Sequence, residues 1–168
     1  MATHRRRPGR SCGTWYSQRL PTSLSPSPNP RTTARPVADK GDDLWWNPAF
    51  CLGYAKSGEP LFHVGNATDP QRGGGKTVLG ETKMVPGRWV HLAGVYDGAT
   101  VKLYVNGHLE REEKYRGQIR SDRAPVHLGG GKLFGVDWGN HFTVHGTIDE
   151  VMIFSRALSA AEIRQICQ

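Results

Sequence analysis

Long hydrophobic runs are missing from this 168-residue chain. No apolar stretch approaches the roughly 18 residues that a membrane-spanning helix needs, so the sequence offers no membrane span. Cysteine is scarce. Cys12, Cys51 and Cys167 fit neither a disulfide framework nor a metal-ligand spacing, and they do not reveal the compartment. Cys51, in an apolar strand, is expected as a buried free thiol; a Cys51–Cys167 bridge is left open. The nucleophile-elbow pattern G-x-S-x-G and the zinc pattern H-E-x-x-H are both absent. Acid is missing from one region only. Residues 1–38 hold seven of the 22 Lys+Arg and no Asp or Glu, which leaves 15 basic against 15 acidic residues in 39–168. The net charge of +7 therefore belongs to the leading segment, and the remainder has no surplus with which to hold phosphates. A basic arm alone gives salt-sensitive, unspecific contact, so no specific nucleic-acid partner is expected.

Glycine (21) and proline (11) are plentiful, which favours a turn-rich, all-β architecture. Residues 1–35, with RLPTSLSPSPNPRTTARP, are Pro- and Ser-rich and are expected to form a disordered basic tail that cannot repay its ordering entropy. MATHRRRPGR resembles the basic start of a signal peptide, but Ser, Gly and Gln interrupt the apolar core that should follow, so no secretion signal is read. From residue 36 onward short strands are predicted near 50–55, 61–65, 77–81, 89–96, 100–106, 108–113, 125–129 and 144–154, with Asp97-Gly98 and Asn106-Gly107 as hairpin turns. In WVHLAGVY (89–96) both faces are largely apolar, which predicts a central strand covered on both sides, with Trp89 in the core. The next strand points Val101, Leu103 and Val105 inward and Lys102, Tyr104 and Asn106 outward, and HLEREE is a solvated edge. Ser159 and Glu162 form a capping box for a short helix over 160–167, with Ile163 and Ile166 turned inward. The fold class expected is all-β, a two-sheet antiparallel sandwich with one short C-terminal helix.

The segments Trp89 to Gly98 (W-x-H-L-A-x-x-Y-D-G), Val101 to Gly107 (V-K-L-Y-V-N-G) and Gly146 to Ile163 (G-T-I-D-E-V-M-I-F-S-R-A-L-S-x-x-E-I) resemble the laminin-G-like branch of the concanavalin A-like lectin/glucanase superfamily. The resemblance implies a jelly-roll sandwich over residues 36–168, usually one module of a larger secreted or surface protein, hence an extracellular or cell-surface location. It also implies a partner that is a glycan, a glycoprotein or a neighbouring domain, engaged sometimes through Ca2+. Such domains normally begin some way before a K-G-D turn like that in VADKGDD (37–43), so the sandwich is expected to lack its first strands and to behave as a fragment. The glucanases of this fold set carboxylates on one strand as E-x-D-x-x-E. Here Thr147 and Met152 stand where the flanking acids would be, so no retaining pair forms and a non-catalytic module is expected.

Asp149 is open to two readings, a Ca2+ ligand or a structural carboxylate that accepts backbone N–H groups or pairs with Arg156; the second is favoured. The ligand-binding expectation rests on aromatics in loops, because an indole face matches the C–H patches of a sugar ring while nearby acids and amides accept its hydroxyls. Two clusters qualify. Trp45 and Trp46 stand in GDDLWWNP beside Asp43, and Trp138 stands in FGVDWGNHF with Asp137, Asn140 and His141. Ends of the sandwich capped by folded-back tryptophans are the competing reading. The alternative function is a protein–protein or architectural module. His63, His91, His127 and His145 lie in strands at no ligand spacing and are expected to have structural roles.

Overall fold

The computed structural model describes residues 13–19, 34–41, 48–55, 57–66, 75–119, 123–130, 144 and 146–168, with backbone only at 13–19 and 34. The elements among them are β1 (Gly13–Arg19), β2 (Ala34–Lys40), β3 (Phe50–Ala55), β4 (Pro60–Gly65), β5 (Gly75–Leu79), β6 (Trp89–Tyr96), β7 (Thr100–Val105), β8 (His108–Lys114), β9 (Val126–Leu128), β10 (Thr147–Phe154) and α1 (Ala160–Ile166). They form two five-stranded antiparallel sheets. Sheet A runs β10-β1-β6-β7-β8 and sheet B runs β5-β4-β3-β2-β9. The expected all-β sandwich with one short helix is what the chain adopts.

The sheets stack with the β7–β8 side of sheet A over β4 and β5, and a Lys76–Glu113 ion pair (3.0 Å) laces the β5 and β8 edges together. Between them lie Phe50, Leu52, Tyr54, Phe62, Val64 and Val78 from sheet B and Val90, Leu92, Tyr96, Val101, Leu103 and Val105 from sheet A. The alternation seen in the sequence is what delivers these side chains to one face of each strand. Gly94 is required at the tightest point. A Cβ built there would lie 2.3 Å from the Phe62 ring, so β6 offers bare backbone to an aromatic from the opposite sheet.

β6 is covered on both faces, as its composition predicts. Its second face, Ala93 and Val95, packs with Tyr104, Leu158 and Ile163 beneath α1. That explains one departure: Tyr104 points away from the sandwich, as expected, yet is only 4% exposed because the helix lies over it. The helix starts on its capping box, with the Ser159 hydroxyl accepting from Glu162 N–H and the Glu162 carboxylate accepting from Ser159 N–H (2.8 Å) and from Arg156 (2.6 Å). The Asn106-Gly107 turn joins β7 to β8 with both residues at positive φ (48° and 78°). Asn106 also ties the turn to β6: its Oδ1 accepts from His91 N–H (3.0 Å), and its own N–H donates to His91 O (2.8 Å).

Three expectations are corrected. Gly13–Arg19, inside the segment read as a tail without strands, forms β1 between β6 and β10; its Thr-Trp-Tyr core favours extended structure, but Pro- and Ser-rich flanks hide it. β2 begins at Ala34 and continues through Pro36, which sits at a register shift between Pro36 and Ala38 where a missing N–H costs no ladder bond. Trp89, expected in the core, is 47% exposed at the start of β6. Cys51 is buried and free, and Cys167 is free at the end of α1. They lie on outer surfaces of opposite sheets, so the bridge left open by the sequence does not form.

Candidate functional site

Strand register sorts the connections of the sandwich into two ends. Lys40, Phe50, Val64 and Lys76 are partners across sheet B, so connections 41–49 and 66–74 leave from one end. Ala49 N–H donates to Lys40 O (2.7 Å) at the neck of the first, and Gly65 pairs with Gly75 at the neck of the second. The Lys76–Glu113 pair places the end of β8 here too, and with it the Asp97 turn, whose Ala99 O accepts from Tyr115 N–H (2.9 Å). β9 runs antiparallel to β2, so its exit heads away from this end, with Gly129 N–H on Val37 O (2.8 Å) and Val144 N–H on Gly129 O (2.7 Å). The expected ligand residues Asp43, Trp45, Trp46, Asp137, Trp138, Asn140 and His141 all fall outside the described residues.

At the first end the Asp97 turn is tightly built. Its Oδ1 accepts from Ala99 N–H (2.9 Å) and Thr100 N–H (2.7 Å), its Oδ2 accepts from the Thr100 hydroxyl (2.7 Å), and Lys102 stands 3.4 Å away. Partial burial alone would raise its pKa, but these donors, the Thr100 hydroxyl foremost, bring it down to about 2. The chain then crosses from β8 to β9. Tyr115 packs on Tyr96 with ring centroids 5.7 Å apart, and Gly117 N–H donates to the Tyr96 hydroxyl oxygen (3.1 Å). Between turn and crossover, Ala99, Thr100, Lys114, Tyr115 and Arg116 line an open depression of about 450 Å³.

The outer face of sheet B carries a feature that sequence reading missed. His127, Asp39, Cys51, His63 and Thr77 are successive register partners from β9 to β5, one residue inward from the end just described. Asp39 is 0% exposed; its Oδ2 meets His127 Nδ1 at 3.3 Å, and its Oδ1 has no partner among the described residues. Burial pushes its carboxyl up, only partly opposed by His127, and the same burial, with Asp39 beside it, pushes the Cys51 thiol up. A thiol so disfavoured as thiolate is no nucleophile. His63 Nδ1 lies 2.8 Å from the Thr77 hydroxyl, and burial holds its imidazole down to about 4. Both histidines were read as structural, and these contacts agree, but their convergence on one row needed strand register to be seen.

Asp149 is exposed and its Oδ1 accepts Glu150 N–H (2.9 Å) at a bulge where Glu150 takes φ 52°. Backbone capping is thus its role, while Arg156 turns to Glu162 instead. Among the described residues no three His, Cys, Asp or Glu side chains converge to hold a metal ion. Among them, too, no helix is long and apolar enough to cross a membrane.

No curated protein matches the sequence. Solved structures share the fold at low identity. The IT-sialidase CBM40 of Ruminococcus gnavus superposes with a TM-score of 0.69 at 14% identity, over 94% of this chain and 83% of that one. Domain 4 of AbnA, a GH43 extracellular arabinanase of Geobacillus stearothermophilus solved with arabinotriose, gives 0.66 at 20% identity, over 96% and 68%. A protein from Bacteroides ovatus gives 0.65 at 15% identity, and the present chain spans only 40% of its length. The family model described as "Concanavalin A-like lectin/glucanases superfamily" matches residues 24–164, and the chain belongs to that family.

Proposed function

We propose that the protein is a non-catalytic module that binds carbohydrate or glycoconjugate through its rim loops. The observation that carries this reading is the family's sandwich, shared with modules that hold arabinotriose or, in the case of the sialidase CBM40, sialyllactose. In the proposal, an indole stacks on a sugar ring while carboxylate and amide oxygens accept its hydroxyls. In the proposal Asp43, Trp45 and Trp46 form the first candidate set, since the segment that carries them leaves the end of sheet B near which the depression opens. Asp137, Trp138, Asn140 and His141 form the second candidate set. The module acts outside the cell or at its surface, as the extracellular arabinanase domain does, attached to neighbouring domains that it brings to a glycan.

A glycan array followed by titration tests this. Trp45→Ala and Trp46→Ala are expected to weaken binding at least tenfold with unchanged melting temperature, and Trp138→Ala is expected to weaken it less. Retention of no glycan at any density overturns the reading in favour of a protein–protein module, and unchanged binding in all three variants overturns the rim.

A further inference from the structure

β1 is a strand that sheet A cannot do without. It pairs on one side with β6, from Thr14 opposite Gly94 to Arg19 opposite Trp89, and on the other side with β10. β10 reaches the sheet only through it. The slot between β6 and β10 therefore demands a strand, and register on both sides selects one of this sequence. The chain that follows β1 is much longer than the gap it crosses. Arg19 lies at the start of β6, beside the Asn106-Gly107 turn. Ala34 pairs with Ala55 at the end of β3, where Gly80 N–H also closes on Pro60 O (2.8 Å). Glu110, just past the Asn106-Gly107 turn, accepts from Glu81 N–H (2.9 Å), which brings both places to the same end of the sandwich. β1 is second from the β10 edge of its sheet, and β2 is second from the β9 edge of the other. Those edges adjoin, since a Cβ built on Gly129 would lie 3.3 Å from Ile148 Cδ1. β1 and β2 thus occupy corresponding places in two sheets that stack about 10 Å apart.

The 14 residues 20–33 join them. Pro21, Pro26, Pro28 and Pro30 stand in this connection, and Ser25, Ser27 and Asn29 each precede a proline, so its sequence favours extended polyproline II over 25–30. At about 3.1 Å per residue a stiff segment of this length spans roughly 40 Å. Pairing within one molecule asks it to turn back over a fraction of that length, and effective concentration falls once a linker outgrows its span. The same segment reaches the slot of a second molecule without bending.

We propose that β1 is an exchangeable strand, and that two copies of this chain form a dimer in which each β1 fills the slot between β6 and β10 of the other. The exchanged dimer keeps the ladder bonds of two monomers, so the connection and the protein concentration decide between the two forms. β1 must leave one slot to enter another, so exchange is slow in the cold and quick near the unfolding transition. The proposal does not depend on the carbohydrate reading.

The full-length chain tests it. Incubated warm at high concentration and then cooled, it is expected to give a dimer by light scattering that persists on dilution in the cold and reverts on warming. Disulfide trapping then identifies the strand. Thr14 is the register partner of Ile153, and Ser17 of Asp149, across β1 and β10. Oxidised Thr14→Cys/Ile153→Cys is expected to run as a covalent dimer on a non-reducing gel, while the unsubstituted protein treated alike does not. Ser17→Cys/Asp149→Cys supplies a second pair where the first disturbs folding. Internal disulfides alone, with or without a non-covalent dimer, overturn the exchange, and so does a monomer at every concentration. Pro26→Gly, Pro28→Gly and Pro30→Gly together loosen the connection and are expected to weaken dimerisation at least tenfold; an unchanged dimer constant overturns the connection as the driving element.

Discussion

The outer faces of the two sheets are built on opposite principles. Sheet A turns Ala93, Val95 and Tyr104 outward and seals them with Leu158 and Ile163 of the C-terminal segment. Beneath α1 that face is a second apolar core, while Thr100 and Lys102 lie on the same side of β7 nearer its start. Sheet B turns small and polar residues outward: Cys51, Gly53 and Ala55 alternate with Phe50, Leu52 and Tyr54 along β3, and Asp39 pairs with His127 beside them. Burying a carboxylic acid against a histidine costs desolvation that an apolar pair would avoid. A fold that needed only stability would gain by treating sheet B as it treats sheet A. The contrast is between an apolar second core beneath α1 on sheet A and a polar row on sheet B in which Asp39 and Cys51 are buried.

The comparison can be broken most severely at β1. In sheet A, β10 reaches the other strands only through β1, and β10 leads directly into the segment that seals the outer face. Removing residues 1–19 is therefore expected to abolish cooperative thermal unfolding in calorimetry. A truncated protein with the full-length melting temperature would show that sheet A does not depend on β1. Next in size is Ile163→Ala, which opens a cavity at a 0% exposed position and should cost about 2–5 kcal/mol in urea denaturation, without altering glycan affinity. A loss of affinity beyond the loss of stability would move function to the sheet A face.

The smallest effect concerns pH, and its sign differs between two residues of sheet B. Burial keeps Asp39 protonated to higher pH in the folded chain than in the unfolded one, with His127 opposing this in part. Folded protein then binds more protons between the ordinary carboxylic range and neutrality, so this group makes stability fall as pH rises through that window. Asp39→Asn should flatten the slope. His63 acts oppositely: burial holds it down to about 4 against an ordinary value of 6.5. The unfolded chain takes up that proton first, and stability falls as pH drops from 6.5 towards 4. His63→Gln should flatten the acid side alone. Melting temperatures of the three proteins across pH 4–8 check both signs, whereas sheet A substitutions should leave both slopes in place.

Much of the fold was legible because local pattern and tertiary role agreed. β6 carried two apolar faces and both are buried; Ser159 and Glu162 announced α1; Asn106-Gly107 marked a turn that needs positive φ twice. What stayed hidden did so for physical reasons. β1 and β2 adjoin Pro- and Ser-rich sequence, and Pro36 is tolerated only because a bulge forms around it, which no local pattern reveals. Trp89 belongs by alternation to the face beneath α1, but the helix does not reach the start of the strand. The row from His127 to Thr77 draws on five strands whose members are at least a dozen residues apart. Its one local trace was the alternation of large and small residues in FCLGYA.

Mapping a bound oligosaccharide by amide hydrogen exchange tests the central claim most directly. The account predicts new protection at the rim, strongest at Gly41, Ala49, Ala99, Thr100 and the 114–116 segment, with Ala93, Tyr104 and Ile163 unchanged. Protection centred on those three residues beneath α1, with the rim unaffected, would contradict it.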